Sequence, residues 1–401
     1  MLARAGATQG FRHCARAYVA LRASLKEMIP FNQPVFLGTE LGFIHDAIVR
    51  NGHVSGGGPF TTQCETKLAA IQGAPALLVS SCTHALEMAA LSLRVEEGDE
   101  VIVPSYTFVS TANAFALHRA RIVFADVDLS GNLSLESVER SLTSRTKAIV
   151  PVHYGGASCD MINLMRLAKD VAVVEDAAQA IGSTFQGRKL GTFGKCAAMS
   201  FHETKNVGCG EGGAFFSIDG AILERAYVLR DKGTNRRRFL DGLVDKYTWV
   251  DVGSSYVLSD LNAAYLHAQL MQLEKIQRRR REIVQRYIAE LSTVVEQHGV
   301  RFWARNEGCS DAAHLCALVM RSLEHRRGFI QHMKERGIIT PFHYVALHTT
   351  PYGRRYGEFR LENAERLSDC LVRLPLFYNL TDDQQGEVID AVLEWFARHP
   401  R

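Results

Sequence analysis

Strand-length apolar runs alternate with helically spaced segments through the first half of this chain, and few folds accept that pattern. The runs 100–104 (EVIVP), 121–127 (RIVFADV), 147–152 (KAIVPV) and 171–175 (VAVVE) are nearly continuous in apolar residues, as strands buried on both faces are. Between them, 83–93, 108–117, 134–142 and 160–169 carry apolar residues at helical spacing. Alternation of this kind predicts an α/β fold with a mostly parallel central sheet covered by helices on both faces. Two further strand candidates, 197–201 and 213–218, flank a glycine-rich turn. In open sheets of this class ligands sit beyond the carboxyl ends of the strands, so the residues that follow the runs are the first to inspect for chemistry.

The texture changes after about Asp260. Residues 261–297 read as one or two long helices, with Leu266, Leu270, Leu273, Ile276 and Tyr287 as the buried stripe. The basic run 278–281 within them reads as a solvated helix face or a subunit contact. The remainder alternates short strands and helices. The expected organisation is a large domain over 28–265, then a long helix and a smaller α+β domain over 266–401. Residues 1–26 hold Arg4, Arg12, Arg16, Arg22 and Lys26 with no acidic residue before Glu27. That bias is transit-peptide-like but lacks the apolar core of a secretory signal. The folded part is expected to begin near Met28, with 1–27 a disordered tail; an organelle address and a translation-start artefact are both compatible with it.

Composition removes several classes of function. Lys+Arg 46 against Asp+Glu 43 leaves +3, too even a balance to argue for a nucleic-acid or anionic-membrane partner. The longest uncharged stretch, 101–117, is interrupted by Pro104, Ser105, Thr107, Ser110, Thr111 and Asn113 and is too polar to span a bilayer. The nine cysteines form no C-x-x-C pair. Cys309, His314 and Cys316 fall short of the four ligands of a structural zinc site. Reduced cysteines, no metal and a cytoplasmic location are expected.

Three segments carry chemistry. Glu175-Asp176-Ala177-Ala178-Gln179 follows a strand, where Asp176 could offer a carboxylate to a cationic nitrogen or simply cap a helix. Ser200 to Asn206 is followed by Gly208-Cys209-Gly210-Glu211-Gly212-Gly213. Its Lys205, if close-packed, would lose solvation and gain the nucleophilicity that a Schiff base needs; taken alone it also reads as a surface lysine beside a flexible loop. Ser80-Ser81-Cys82-Thr83-His84 precedes an amphipathic helix, and a helix N-terminus with free N–H groups suits a phosphate as well as a cap. Together they supply a phosphate cradle, a carboxylate for a pyridinium nitrogen and a lysine for an aldehyde, the parts of a pyridoxal phosphate site. The phosphate-binding pattern G-x-x-x-x-G-K-[ST] and the dinucleotide pattern G-x-G-x-x-G after a strand are both missing.

The motifs PSYTFVST (104–111), IVPVHYGG (149–156), VVEDAAQA (173–180), SFHETKN (200–206) and EGGA (211–214) resemble those of the DegT/DnrJ-type sugar aminotransferases. That family has the pyridoxal-phosphate-dependent transferase fold type I and acts on nucleotide-linked keto sugars, usually with L-glutamate as donor. FNQPVFLGTEL (31–41), DKGTNR (231–236), DKYTWVDVGSSY (245–256) and RLPLFYNL (373–380) are similar to the members that aminate C4 of dTDP-4-keto-6-deoxyhexoses. The resemblance implies that Lys205 forms the internal aldimine and later shuttles the proton, and that Asp176 contacts the pyridine nitrogen. It places Phe108 on the cofactor ring, Gln179 near the ring's 3-hydroxyl, and Cys82, Thr83 and Ser200 at the phosphate. His343 and Tyr344, within PFHYVALH (341–348), match a substrate-side loop. Many relatives have asparagine where Val257 stands, reaching the partner subunit's phosphate; valine cannot donate, which leaves Ser254 or Ser255 for the task. The resemblance further implies a homodimer at least. Relatives that dehydrate sugars at C3 carry histidine in place of the lysine, so Lys205 points to transamination. A nicotinamide-dependent sugar oxidoreductase lacks its glycine fingerprint here, and a non-catalytic sensor or scaffold on the same fold would have no use for an intact lysine and aspartate.

Overall fold

The computed structural model describes residues 28–310 and 312–399; the predicted tail, 1–27, lies outside them. The strands, in chain order, are β1 (Ala76–Val79), β2 (Glu100–Pro104), β3 (Arg121–Ala125), β4 (Thr146–Ile149), β5 (Ala172–Asp176), the short hairpin β6 (Thr184–Phe185) and β7 (Arg188–Lys189), β8 (Cys196–Ser200) and β9 (Gly213–Phe216). Seven of them form one sheet in the order β1-β9-β8-β5-β4-β2-β3. The pairs β3/β2, β2/β4, β4/β5 and β5/β8 are parallel, and β9 runs antiparallel to both neighbours. The predicted mostly parallel sheet is therefore present, with β9 as its one reversed strand.

Why the strands read as continuous apolar runs is visible in the two cores. Leu78, Ile102, Ile149, Val173, Ala197 and Phe216 point into one, packed with Cys64, Leu68, Leu164 and Leu266 from the helices below. Their neighbours Leu77, Val101, Val103, Ala148, Val174 and Phe215 point into the other, with Ala85, Leu86 and Phe115. Successive side chains alternate across a sheet, and here both faces are covered. The helices Cys82–Ser92, Val109–Ala116, Leu135–Ser141 and Met161–Ala168 match the four predicted stretches to within about two residues. β1 was not anticipated, because four apolar residues, ALLV, carry no period that separates strand from helix.

The helical stretch after Asp260 is two helices, Asp260–Met271 and Leu273–Gln297, broken at Gln272. Leu266, Leu270, Ile276 and Tyr287 are buried and Leu273 packs against the core, as the stripe predicts. The basic run does not lie wholly on a solvated face. Arg280 is 1% exposed and donates to the carbonyls of Ala313 (2.8 Å), His314 (2.8 Å) and Leu376 (3.2 Å), because three chain segments end against this helix with carbonyls that need donors. Arg279 reaches Asp382 at 2.8 Å and Arg278 reaches Glu274 at 3.4 Å on the surface. A three-stranded antiparallel sheet, β10 (Arg301–Phe302), β11 (Ala317–Val319) and β12 (Leu371–Arg373), completes the fold. It packs with Tyr287, Phe329 and Phe396 in a third core. No helix among the described residues is long and apolar enough to cross a membrane.

Candidate active site

The carboxyl ends of β1, β2, β5 and β8 bring the three chemical segments together. After β1, Ser81 caps the helix Cys82–Ser92 by accepting from His84 N at 3.1 Å. The backbone N–H groups of Cys82 and Thr83, in the first turn, have no acceptor within the helix. Thr83 Oγ1 meets Ser110 Oγ at 2.8 Å, tying this helix start to the one that follows β2. Close approach is allowed from the other side by Gly213 on β9, where a Cβ would lie 2.4 Å from Cys82 N.

Asp176 ends β5 and is 5% exposed. Its Oδ2 accepts from Thr111 Oγ1 at 2.8 Å and its Oδ1 from Ala178 N at 3.2 Å. Burial pushes its pKa up, and those two hydrogen bonds oppose the rise. Thr111 Oγ1 stands in turn 2.8 Å from Thr107 Oγ1. Next to Asp176, Glu175 is fully buried and does structural service. It accepts from Gly191 N (2.6 Å), Phe193 N (2.6 Å) and Gly194 N (2.7 Å), and meets His153 Nε2 at 2.8 Å.

Lys205 lies in the turn after β8, with its N–H on His202 O at 2.9 Å. The turn is closed by Cys209 N to Phe201 O at 2.8 Å and Glu203 N to Gly210 O at 2.9 Å. Burial lowers the Lys205 pKa, the thiol of Cys82 and the carboxylate of Asp176 work against that, and the Arg373 charge adds to it. The same electrostatics put the Cys82 thiol in reach of both Asp176 and Lys205, and burial raises its pKa. Cys82 thus offers an N–H at the helix start and a neutral thiol beside the lysine. Ser200 ends β8, its Oγ accepting from His202 N at 3.3 Å.

Phe108, the N-cap residue of Val109–Ala116, is 56% exposed, and its ring centroid lies 6.3 Å from that of Tyr344. Gln179 uses both ends of its amide: Oε1 accepts from Gly155 N at 2.7 Å and Nε2 donates to Tyr344 OH at 2.8 Å. Tyr344 holds φ at 60°, a left-handed conformation that costs a tyrosine energy and concentrates at functional sites. His343 stacks on it at 3.8 Å, and His343 Nδ1 meets Tyr154 OH at 2.8 Å. Tyr106 OH donates to His343 O at 2.5 Å. Burial holds His343 well below the usual histidine range and keeps the Tyr154 phenol protonated. Val257 pairs with Val79 beside β1, and Ser255 with Asp231.

Several residues of this basin were not singled out by sequence reasoning. Thr107 and Thr111 lie inside the quoted PSYTFVST motif, and Tyr154 inside IVPVHYGG, but only the fold turns their side chains toward Asp176 and His343. His314, weighed only as a metal ligand, meets Asn206 Oδ1 at 2.9 Å through Nδ1. Its pKa is pulled well down by burial and then by the charge of Lys205. A buried amine of lowered pKa, an anchored carboxylate and an anion-binding helix start suit pyridoxal phosphate, a group with an aldehyde, a basic ring nitrogen and a phosphate.

Comparisons with known proteins agree. The model of the DegT/DnrJ/EryC1/StrS aminotransferase family matches residues 44–393. The uncharacterized protein MJ1066 of Methanocaldococcus jannaschii is 33% identical over 336 residues, covering 79% of this chain and 84% of that protein. Among solved structures, the aminotransferase TlmJ of Streptoalloteichus hindustanus is 32% identical with a TM-score of 0.85, over 93% of this chain and all of TlmJ. DesV of S. venezuelae is 30% identical with a TM-score of 0.84, over 94% of this chain and all of DesV. With this sheet, this lysine and these matches, the chain belongs to the DegT/DnrJ/EryC1/StrS family of pyridoxal-phosphate-dependent sugar aminotransferases.

Proposed function

We propose that the enzyme moves an amino group from L-glutamate to C4 of a dTDP-4-keto-6-deoxyhexose, giving dTDP-4-amino-4,6-dideoxygalactose and 2-oxoglutarate. The observation that carries the chemistry is the lodging of a lysine amine of depressed pKa beside an anchored, buried aspartate at one edge of the parallel sheet. The choice of substrate rests on the motifs shared with the C4-aminating members.

Pyridoxal phosphate, when bound, supplies an aldehyde and a ring that draws electrons from an attached carbon. The protein does the rest. Cys82 N, Thr83 N and the Ser200 hydroxyl hold the phosphate, a task for which a helix start is suited. Phe108 covers a face of the ring, and Asp176 keeps the ring nitrogen protonated. Lys205 carries the aldehyde between turnovers. Once displaced by the donor, its amine takes the proton from the donor's Cα and later delivers a proton to sugar C4, as general base and then general acid. A lowered pKa leaves more of that amine uncharged near neutrality. Gln179 fixes Tyr344, and with it the substrate-side loop that carries His343. The working unit is a homodimer, in which Ser254 or Ser255 supplies the partner-side phosphate contact that Val257 cannot.

The test is incubation of purified protein with dTDP-4-keto-6-deoxyglucose and L-glutamate, with the product read by NMR. An axial amine at C4 and stoichiometric 2-oxoglutarate are expected. An equatorial amine would overturn the product, and a sugar recovered without nitrogen would overturn the reaction.

A further inference from the structure

Arg373, the last residue of β12, stands where three segments meet. Its N–H bonds to Pro341 O at 2.9 Å, and its guanidinium carbon lies 4.6 Å from the ring centroid of Phe31. Nη2 reaches Phe342 O at 3.4 Å, immediately before the His343–Tyr344 pair. Phe31 belongs to a strap that also touches the lysine turn, through Asn32 Nδ2 on Glu203 O at 3.4 Å. The guanidinium thus lies between the substrate-side loop and the turn that carries Lys205.

Its charge has no counterpart. Among the described residues Arg373 makes no ion pair, and its buried Nε has no acceptor. The groups that share its field are Lys205, His314, His343, Tyr106, Tyr154 and Tyr344. Burial keeps the histidines uncharged and the phenols protonated, so none of them offers an anion. A buried cationic donor is costly unless a partner accepts from it. An arginine with part of its fork free is built for a planar, two-oxygen anion.

We infer that Arg373 receives a carboxylate of the amino-group donor. The inference rests on the transaminase reading and adds the donor subsite to it. The chemistry of the two substrates separates them. The nitrogen of an amino acid must replace that of Lys205, and its α-carbon bears a carboxylate directly, so that carboxylate stays near the lysine. In a C4-keto sugar nucleotide the phosphates hang from C1, across the sugar ring from the reacting carbon and away from the lysine. A single cation also matches one carboxylate better than a diphosphate.

The experiment compares wild-type, Arg373→Gln and Arg373→Lys holoenzymes. Glutarate, a dicarboxylate with no amine to react, and dTDP are titrated separately by calorimetry, and the L-glutamate half-reaction is followed by the cofactor's absorbance. Arg373→Gln is expected to weaken glutarate binding and raise the L-glutamate concentration at half-saturation by roughly 30-fold or more, the scale of truncating one member of a desolvated charge pair. Arg373→Lys, which keeps the charge without the fork, should fall between, with dTDP affinity unchanged in both. Unchanged glutarate binding, or a loss confined to dTDP, overturns the assignment. Wild-type enzyme that binds pyridoxal phosphate but accepts nitrogen from no amino acid would instead overturn the transaminase reading.

Discussion

Thr111 Oγ1 donates to Asp176 Oδ2 at 2.8 Å, joining the helix after β2 to the end of β5. Because Thr111 spends its proton on the carboxylate, the 2.8 Å contact with Thr107 runs the other way, with Thr107 donating. The two hydroxyls form a directed chain that ends on Asp176 and offsets part of its burial. The consequence is that Thr111→Val, nearly the same shape without the proton, should lower turnover about 10-fold or more, since hydrogen bonds to charged groups contribute about 1.5–3 kcal/mol. Thr111→Ser should recover most of it. The 15N shift of labelled pyridoxal phosphate reports ring protonation independently of rate; a valine variant with wild-type shift and turnover would remove Thr111 from the site.

Lys205→Ala should abolish turnover and leave no borohydride-fixed cofactor on the protein. Asp176→Asn, by contrast, should retain cofactor while turnover drops by orders of magnitude, because the amide cannot hold a proton on the ring nitrogen. Absorbance titration and steady-state rates on the two proteins separate these roles. Wild-type turnover in Asp176→Asn would sink the role given to the carboxylate.

Glu175 answers a different question. Four donors converge on its two oxygens, and Glu175→Gln would turn an amide N–H toward some of them. The expected loss is about 2–4 kcal/mol of stability, the scale of an unsatisfied buried group beside a charged network. Thermal or urea unfolding of the apoprotein checks it, and a change near zero would mean that the loop 191–194 is held by other contacts.

Acid should destabilise the fold through His314 and His343. Both are held well below the ordinary histidine value of 6.5, chiefly by burial. As pH drops beneath 6.5 the unfolded chain binds protons that the folded chain refuses, so stability rises with pH across that window and falls as acid is added. The melting temperature should therefore decline from about pH 6.5 downward, and His314→Asn should flatten part of the slope. An unaltered slope would show that His314 takes up its proton without strain.

Much of the architecture could be read in one dimension. Strands buried on both faces need apolar residues at every position, and that local demand marked β2, β3, β4, β5, β8 and β9 in the chain order in which they occur. Likewise the amphipathic period marked the stripe of Leu266, Leu270 and Ile276. Lys205 and Asp176 were legible for a related reason: each follows a strand run, and the residue types have few other uses in that place. β1 was missed because ALLV is too short to have a period, and the reversal of β9 was missed because hydrophobicity has no direction.

Pairings across the chain belong to the fold alone. Thr111 and Asp176 are 65 residues apart, and nothing near either announces the other; they meet because β4 lies between β2 and β5 and sets where those strands end. Arg280 looked like one cation in a solvated run until packing surrounded it with three carbonyls. Arg373 was an ordinary residue after an apolar pair, and only assembly placed it beside the substrate-side loop, in the field of Lys205. Burial and hydrogen bonding act through space over a few ångströms, whereas periodicity acts along the chain. The local pattern therefore specifies elements, and tertiary packing selects which of their side chains share a site.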